Sequence, residues 1–381
     1  MRIAIDYISS IGTGGVSLYT RELVRALSDI DKENKYFLYC FIHDFLPGRE
    51  REKIKSENFK SRPAYFSRLN FPIPRGFINF TNKISIRTLA KLDKIDIFHF
   101  TNPLNFIRGP YKSIVTVHDL SVLHNSQWAK KISLDFFKKN IESVLNKANK
   151  ILTDAEFTKK DIIDNFNIPE EKIKPIHLGV GNAFHSEIDK NYLKKKFNLE
   201  NYILYVGELQ PRKNIAGLLE AYKRLDNNLR KNYKLVLVGR ARDENFAKKI
   251  SDLIKKLNLG SFVKHFEYAA ESDLIKLYSN AEFLLYPSFF EGFGFPVLES
   301  ISCGVPVITS NTSSLPEVIG QAGILVNPED INQIKSAIEK LLLDKNLYQK
   351  LKKECLNQAS KFNWQKTARQ TLAVYGEVYK N

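Results

Sequence analysis

The chain contains little sulfur and no hydrophobic run long enough to cross a membrane. Its 381 residues include one methionine and three cysteines, and Cys40, Cys303 and Cys355 are odd in number and widely scattered. Such spacing gives neither a disulfide framework nor a zinc motif. No apolar segment approaches the roughly 20 residues of a transmembrane helix, and the first residues lack the pattern of a secretory signal. The sequence therefore predicts a cytoplasmic protein with reduced thiols.

Positive charge, by contrast, is in excess. The net charge is +16, and about half of it lies in residues 49–94, where twelve Lys or Arg face four acids. The basic residues of this segment are Arg49, Arg51, Lys53, Lys55, Lys60, Arg62, Arg68, Arg75, Lys83, Arg87, Lys91 and Lys94, interleaved with Phe66, Phe71, Phe77 and Phe80. Basic and aromatic residues together favour an anionic membrane surface. A plain solvated face is the alternative, and nucleic acid is the weakest because no nucleic-acid-binding motif accompanies the charge.

Short apolar strands alternate with amphipathic helical patterns along the whole chain. The first series of predicted strands is Ile3–Asp6, Tyr36–Phe41, Ile95–Phe100, Ser113–Val117, Lys150–Thr153 and Lys172–Ile176. The second is Tyr202–Val206, Lys234–Val238, Val263–Phe266, Phe283–Tyr286, Val305–Thr309 and Ile324–Val326, after a loop-like join at Leu178–Asn182. This alternation predicts two doubly wound α/β domains that face one another across a central cleft, where open parallel sheets bind ligands.

Two glutamates eight positions apart bracket the most informative stretch, Glu291-Gly-Phe-Gly-Phe-Pro-Val-Leu-Glu299. The apolar residues just before it predict a buried strand, and Pro296 predicts the first turn of a helix that ends near Ser302. Gly292 and Gly294 let the backbone approach a ligand, and a helix N-terminus favours negative charge. The stretch predicts a site for an anionic, hydroxyl-rich molecule. The alternative is a surface carboxylate followed by a helix-start charge.

This stretch, with Ser302-Cys-Gly-Val-Pro-Val-Ile-Thr-Ser310 and Ser314-Leu-Pro-Glu-Val-Ile-Gly320, resembles the donor-sugar half of retaining glycosyltransferases of family 4, which have the GT-B fold and a Glu-x7-Glu signature. The resemblance spans nearly the whole chain. It implies an acceptor-binding domain of residues 1–180, on which a final helix 364–381 packs, and a nucleotide-sugar domain of residues 181–363. In that helix we expect Trp364 and Tyr375 to be structural anchors.

The same resemblance assigns roles within the signature. It implies that Glu299 binds the ribose hydroxyls of the nucleotide. Glu291, with the backbone of Phe293, Gly294 and Phe295, would hold the donor sugar.

A glycine-rich loop, Ser9-Ser-Ile-Gly-Thr-Gly-Gly-Val-Ser17, follows the first predicted strand and opens a helix. Such a loop can cradle a phosphate on its backbone amides. It is not a dinucleotide fingerprint, because Ser17 stands at the third glycine position. The resemblance implies that Gly14 and Gly15 lie beneath the donor diphosphate. A mere tight turn is the alternative.

A second loop, Gly207-Glu-Leu-Gln-Pro-Arg-Lys-Asn214, places Arg212 and Lys213 just before a helix. Their charges can join the positive end of that helix against a pyrophosphate, although two such residues are ordinarily just solvated. The resemblance implies that Gly207, Arg212 and Lys213 bind the diphosphate. Many family members carry Arg directly after the glycine, where this chain has Glu208, so Arg212 must supply the guanidinium.

His118 and Asp119 follow a predicted strand at its carboxyl end, where α/β active sites form. The resemblance implies a catalytic His-Asp pair whose histidine reaches the transferred sugar near its 6-hydroxyl. A structural histidine is the alternative. His99, His124 and His177 are weaker candidates, of which His99 could line the acceptor side.

Paired carboxylates also serve glycoside hydrolases, so a glycoside-cleaving enzyme or a sugar-nucleotide epimerase is the alternative, and a nucleic-acid-binding protein is a more distant one. A leaving nucleoside diphosphate explains Arg212, Lys213 and the glycine loop better. The resemblance implies a retaining, metal-independent glycosyltransferase without a cofactor other than its nucleotide-sugar co-substrate. Similarity to mannosyltransferases of bacterial surface-polysaccharide assembly implies GDP-mannose, with UDP-sugars as the alternative.

The same similarity implies a glycan or polyprenyl-diphosphate-linked acceptor. We therefore expect the protein at the inner face of the plasma membrane.

Overall fold

The computed structural model describes residues 1–12, 14–45, 54–66, 75–125, 128, 131–181, 183–241 and 243–381. Within them the chain forms two compact units, one made of Met1–Gly179 with Asn363–Asn381 and the other of Val180–Phe362. Each unit contains one parallel sheet, which confirms the prediction of two doubly wound α/β domains. Several residues singled out from the sequence lie outside the described part: Thr13, Arg49, Arg51, Lys53, Arg68, Phe71 and Asn182.

The first unit has a seven-stranded sheet in the order β3-β2-β1-β4-β5-β6-β7. Its strands are β1 (Arg2–Asp6), β2 (Lys35–Phe41), β3 (Phe59–Tyr65), β4 (Ile97–Phe100), β5 (Lys112–Val117), β6 (Lys150–Thr153) and β7 (Ile173–Pro175). The helices between them are α1 (Gly15–Ile30), α2 (Arg75–Leu92), α3 (Ser121–His124), α4 (Lys131–Lys147) and α5 (Glu156–Phe166). The strand order reverses at β1, which pairs with both β2 and β4. Ligands of such sheets bind at the carboxyl ends of the strands beside this reversal.

The second unit has a six-stranded sheet in the order β10-β9-β8-β11-β12-β13. Its strands are β8 (Tyr202–Val206), β9 (Lys234–Val238), β10 (Val263–Phe266), β11 (Leu284–Tyr286), β12 (Val307–Ser310) and β13 (Gly323–Val326). Its helices are α6 (Lys190–Phe197), α7 (Ile215–Lys223), α8 (Asn227–Asn232), α9 (Glu244–Lys256), α10 (Glu271–Ser279), α11 (Phe295–Ser302), α12 (Leu315–Ile319), α13 (Ile331–Leu343) and α14 (Lys345–Ala359). Here the order reverses between β8 and β11, so the loops that follow these two strands are adjacent.

The last helix, α15 (Trp364–Lys380), belongs to the first unit, where it packs on α1. The Asn363 side chain accepts from the amide of Lys366 and so caps the helix. Tyr375 is fully buried and its hydroxyl lies 2.7 Å from Nδ1 of His99. A side chain at Gly179 would collide with the backbone of Trp364, because the helix begins close against the end of the first sheet. Both aromatic residues therefore anchor the helix.

One strand of the first sheet was not predicted. β3 forms its edge, with the sequence Phe59-Lys-Ser-Arg-Pro-Ala-Tyr65. Its polar residues and Pro63 argue against a buried strand, but an edge strand tolerates both because one side makes no ladder hydrogen bonds. Among the described residues, no helix is both long enough and apolar enough to cross a bilayer.

Candidate functional site

In the second unit, the Glu291 carboxylate lies at the centre of a buried polar cluster that comprises Arg212, Lys213, Tyr286, Ser288 and Glu291. The Lys213 ammonium donates to both carboxylate oxygens, at 2.6 and 2.8 Å. Arg212 Nη1 donates to Oε2 at 3.0 Å. The hydroxyls of Ser288 and Tyr286 donate to Oε1, at 2.6 and 2.9 Å. Both basic residues that the sequence singled out therefore contact one carboxylate, 78 or 79 positions away along the chain.

These positions follow from the fold. β8 ends at Val206 and the chain then reaches a short 3-10 turn, Pro211–Lys213. β11 ends at Tyr286, and Glu291 follows in its loop. Because β8 and β11 are hydrogen-bonded neighbours at the reversal of strand order, the loops after them lie side by side. The 3-10 turn and Glu291 meet there.

Asn214 fixes the loop that carries the two cations. Its backbone is left-handed, with φ 55°, and its side-chain oxygen accepts from the amide of Gly217 at the start of α7. Its amide nitrogen donates to the carbonyls of Pro287 and Pro328, at 3.1 and 2.7 Å. Asn214 thereby ties the loop after β8 to the loop after β11. The sequence indicated a helix start here but not this cross-link.

The charges of the cluster are strongly coupled. Burial alone would raise the pKa of Glu291, but Arg212, Lys213 and the hydrogen bonds lower it to about 2, as expected for a carboxylate between two cations. Glu291 is 5% exposed and Lys213 is 8% exposed. With two cations and one anion, the cluster retains one positive charge. An anionic group bound there would be attracted to it through a medium of low dielectric constant.

Glu299, the second signature glutamate, lies apart from this cluster. It belongs to α11 and its Oε2 accepts from the Tyr278 hydroxyl at 2.7 Å. Burial raises the pKa of Glu299 to about 7, although the Tyr278 hydrogen bond opposes the shift. No cation of the described chain lies within ion-pairing distance of this carboxylate. It is therefore ready to accept hydrogen bonds from hydroxyl groups of a ligand.

Two glycines shape the backbone near these carboxylates. Gly294, with φ 109°, is the N-cap of α11, and no side chain caps that helix. Gly207, with φ 148°, follows β8 directly. Only glycine takes such angles without strain. α11 begins at Phe295, one residue before the predicted start at Pro296, and Phe293 is buried against Phe295 and Phe362.

In the first unit, His118 lies at the carboxyl edge of the sheet. It follows β5, and its ring nitrogens contact residues that follow the two neighbouring strands. Nδ1 lies 2.7 Å from Asp154, after β6, and Nε2 lies 2.9 Å from the carbonyl of Thr101, after β4. Tyr19 of α1 packs edge-on against the imidazole, with centroids 4.9 Å apart. The sequence did not identify Asp154 as a partner of His118, because the two residues are 36 positions apart along the chain.

Asp119, the residue after His118, makes a different set of contacts. Its Oδ1 accepts from the backbone amide of Ser121 at 2.9 Å and from the Ser121 hydroxyl at 2.6 Å. This is an Asx-type turn that precedes α3, whose own N-cap is Leu120 and carries no side-chain cap. The contacts of Asp119 in the structure are therefore those of a turn-forming carboxylate.

The glycine-rich loop ends at α1, whose first residue is Gly15 and whose N-cap is Gly14. No side chain makes a capping hydrogen bond there. A Cβ on Gly14 would meet no atom within 4 Å, so the space beside it is open. These amides stand at the carboxyl end of β1, beside the strand-order reversal.

The three weaker histidine candidates have contacts within the first unit. His99 is fully buried, with Nε2 2.7 Å from the Thr116 hydroxyl and Nδ1 2.7 Å from Tyr375. Burial lowers the pKa of His99 to about 3, so it stays neutral in the core. His124 contacts Asp161 at 2.8 Å, and the His177 carbonyl accepts from Thr367 of α15.

Two family models match the chain, one for each unit. The model described as Glycosyltransferase Family 4 matches residues 13–182, and the model described as Glycosyl transferases group 1 matches residues 189–358. The chain is 34% identical to the O-antigen chain mannosyltransferase B of Escherichia coli over 268 residues, which cover 69% of this chain and 70% of that protein. It is 32% identical over 274 residues to the serotype-specific mannosyltransferase WbdA of Escherichia coli, covering 70% of this chain and 33% of that protein.

A solved structure agrees with these family models. Sucrose-phosphate synthase from Thermosynechococcus elongatus superimposes with a TM-score of 0.81 at 21% identity, over 100% of this chain and 99% of that one. This likeness establishes the GT-B fold. Together with the matches above, it confirms the family that the Glu-x7-Glu stretch predicted: the chain belongs to the family 4, group 1 glycosyltransferases.

Proposed function

We propose that this glycosyltransferase moves mannose from GDP-mannose to a glycan acceptor, with retention of configuration and without a metal ion. The Glu291 cluster is the observation that carries the proposal. It supplies two preorganised cations next to the end of β8, where a leaving diphosphate develops charge. The mannosyltransferase names of the relatives support mannose as the sugar.

Arg212 and Lys213 bind the donor diphosphate in this proposal. Glu291 holds both cations in place before the donor arrives, so that little reorganisation is needed as charge develops. On donor binding, the phosphate oxygens share these donors with Glu291, and one Glu291 oxygen becomes free to accept from a sugar hydroxyl. The amides near Gly207 and Gly294 complete the polar contacts.

Glu299 binds the ribose. Its carboxylate accepts from Tyr278 and has no cation partner in the described chain, so two ribose hydroxyls are suitable donors for its remaining lone pairs. In the first unit, His118 acts on the transferred sugar, and Gly14 and Gly15 lie below the diphosphate. Asp119 shapes the turn that follows His118.

Retention proceeds by attack of the acceptor hydroxyl on the same face from which the diphosphate leaves. The bond between the anomeric carbon and the leaving oxygen breaks first, through an oxocarbenium-like state. The departing phosphate oxygen then takes the acceptor proton. Arg212 and Lys213 stabilise the negative charge on that oxygen, the role for which other glycosyltransferases recruit Mg²⁺.

The acceptor is a glycan carried on a polyprenyl diphosphate, reached at an anionic membrane surface on the cytoplasmic side. α2 supports this part of the proposal. Phe80 and Ile84, one turn apart on it, are 61% and 51% exposed, and Lys83 and Arg87 are exposed beside them. Asn82 hydrogen-bonds the backbone of Phe66, which is 44% exposed. An exposed apolar stripe among basic residues suits the headgroup region of a bilayer.

Nucleotide screening tests the donor. Thermal unfolding is followed with GDP, UDP, ADP and CMP, since a ligand at 100 times its dissociation constant adds about 2.7 kcal/mol to stability. We expect GDP to give the largest rise in Tm and GDP-mannose to support transfer to a mannosylated acceptor with an α-linked product. Stabilisation by UDP alone would replace GDP-mannose with a UDP-sugar. No stabilisation by any nucleoside diphosphate would contradict the donor site itself.

A further inference from the structure

A pocket of about 610 Å³ opens at the amino-terminal edge of the first sheet, where β1, β2 and β3 begin. Arg2 is the first residue of β1 and Lys35 is the first residue of β2, while Lys60 and Arg62 lie in β3. The glycine-rich loop leaves the opposite end of β1. The pocket and the glycine-rich loop are therefore at opposite edges of this sheet.

The walls of this pocket are strongly basic. Its cationic lining residues are Arg2, Lys32, Lys35, Lys55, Lys60 and Arg62. The acids Glu33 and Glu57 also line it, so the lining keeps a clear positive excess. Lys35, Lys55 and Lys60 are exposed, and none of the three forms an ion pair within the described chain. A bound anion would lower their mutual repulsion further than Glu33 and Glu57 do.

The two guanidinium groups are held in fixed positions. Arg62 donates to the buried Asp93 carboxylate through Nε at 3.1 Å and Nη2 at 2.8 Å, and the Arg2 Nε donates to the Asp93 carbonyl. Both guanidinium carbons lie over the Phe37 ring, at 5.4 and 5.0 Å. These contacts use Nε and Nη2 of Arg62 but only Nε of Arg2. Both side chains line the pocket, and within the described chain no hydrogen bond occupies Nη1 of Arg62 or either Nη of Arg2.

We propose that this pocket binds a phosphate-bearing ligand, a phosphomonoester or a diphosphate. Preorganised guanidinium forks match phosphate oxygens in pairs, and the three lysines neutralise the remaining charge. Two sources carry this chemistry, the headgroup of an anionic lipid and a soluble phosphorylated compound. The proposal does not depend on the donor assignment, because none of its residues belongs to the Glu291 cluster or contacts His118.

The test compares matched variants of the full chain. The pocket variant carries Lys35→Gln, Lys55→Gln and Lys60→Gln, all exposed positions. The control carries Lys248→Gln, Lys249→Gln and Lys255→Gln on α9, which are also exposed and change the net charge equally. Calorimetric titration with inorganic pyrophosphate measures the soluble source. Co-sedimentation with phosphatidylcholine vesicles that contain phosphatidic acid, a phosphomonoester lipid, measures the headgroup source.

We expect the pocket variant to lose one class of pyrophosphate sites, or to bind the anionic vesicles roughly 100-fold less, whereas the control keeps both. Loss confined to pyrophosphate identifies a soluble ligand, and loss confined to vesicles identifies a headgroup. Arg62→Lys keeps the charge but removes the fork, so it should weaken the same binding roughly 10-fold. Equal binding by wild type, pocket variant and control would overturn the proposal and leave a solvated face. So would equal losses in the pocket variant and the control.

Discussion

His118 and Asp154 form a mostly enclosed pair, with side chains 14% and 5% exposed, in which the histidine faces hydrogen-bond acceptors on both sides. The Asp154 carboxylate lies at Nδ1 and the Thr101 carbonyl lies at Nε2. Because neither partner can donate while Asp154 is ionised, both ring nitrogens must carry protons. Burial alone would lower the pKa of His118, but the charge of Asp154 and these hydrogen bonds raise it. The pair therefore favours the imidazolium, a cation suited to stabilise negative charge at a neighbouring reaction centre.

Asp154→Asn should lower the pKa of His118, because the variant removes the carboxylate that stabilises the imidazolium. Turnover should fall on the order of 10²-fold. The remaining activity should decline as pH rises, and the decline should begin at a lower pH than in wild type. NMR titration of the His118 ring protons measures the pKa directly.

Asp161→Asn is the matched control, since Asp161 pairs with His124 at 2.8 Å and neither residue is assigned to the reaction. That variant should leave the His118 titration where it is in wild type. An unchanged His118 titration in Asp154→Asn would remove the charge-stabilising role of Asp154.

Glu291→Gln should abolish a pH dependence of stability in the acid range. The pKa of Glu291 is depressed from 4.5 to about 2, so its contribution is present above pH 4.5 and is lost as pH falls through 2. The shift corresponds to about 3 kcal/mol at neutral pH. Urea unfolding of wild type and variant across this range gives the difference, which should shrink as pH falls. A difference that stays constant with pH would show that Glu291 is not held ionised by Arg212 and Lys213.

Donor affinity should depend on the ionisation of Glu299. Its pKa is raised to about 7, so the carboxylate that we propose accepts from the ribose becomes protonated as pH falls below 7. GDP binding should weaken as pH falls from 8 to 6 in wild type, whereas in Glu299→Gln it should be weak and nearly independent of pH.

Without nucleotide, the raised pKa of Glu299 means that the ionised carboxylate reduces the stability of the fold above pH 7. Glu299→Gln should therefore raise the Tm at pH 8, and an equal GDP affinity in both proteins would contradict ribose binding.

Arg212→Ala and Lys213→Ala should each reduce turnover by a factor on the order of 10² to 10³, as for other groups aimed at developing charge. Lys213→Ala also leaves a buried carboxylate with one cation fewer and should destabilise the fold by roughly 3 kcal/mol. Arg212 is somewhat more exposed, with 16% of its side chain accessible against 10% for Lys213, so its removal should destabilise the fold less. Full activity in both variants, measured at saturating donor by product release, would contradict the diphosphate assignment.

The sequence predicted both sheets because parallel strands buried on two faces are nearly continuous apolar runs, as in Tyr202–Val206. Local signals also set many helix bounds: the Asp330 side chain caps α13 by accepting from the amides of Asn332 and Gln333. Pro63 and the charged residues of β3 are not typical of a buried strand, so the sequence did not predict this edge strand. The signature glutamates were found through a local stretch, but their different surroundings were not predictable.

Those surroundings depend on strand neighbours. Glu291 meets Lys213 only because β11 pairs with β8, and His118 meets Asp154 only because β5 pairs with β6. The spacing of residues along the sequence predicts neither of these two strand pairings. The sequence thus identified the residues that follow strands but not the partners that set their charge.

Substitution of the exposed apolar pair on α2 should release the protein from anionic membranes. Phe80 and Ile84 point away from the buried side of this helix, which Ile78, Ile86 and Ala90 form. Inserting two such side chains into the headgroup boundary contributes roughly 1.5 to 3 kcal/mol each, so Phe80→Ser with Ile84→Ser should reduce vesicle binding by about 100-fold or more.

Leu343→Ser with Leu356→Ser is the matched control, since these residues of α13 and α14 are 67% and 58% exposed. Both double variants should retain wild-type GDP affinity, because neither touches the residues assigned to the donor. Co-sedimentation with vesicles of phosphatidylcholine and phosphatidylglycerol at low and high salt measures the loss. Insertion of the apolar pair predicts binding that weakens with salt yet remains detectable in wild type, because salt screens the basic residues and leaves apolar burial intact. Equal sedimentation of wild type and the α2 variant would place the membrane contact elsewhere on the chain. Wild-type protein that stays in the supernatant at low salt would contradict membrane docking altogether.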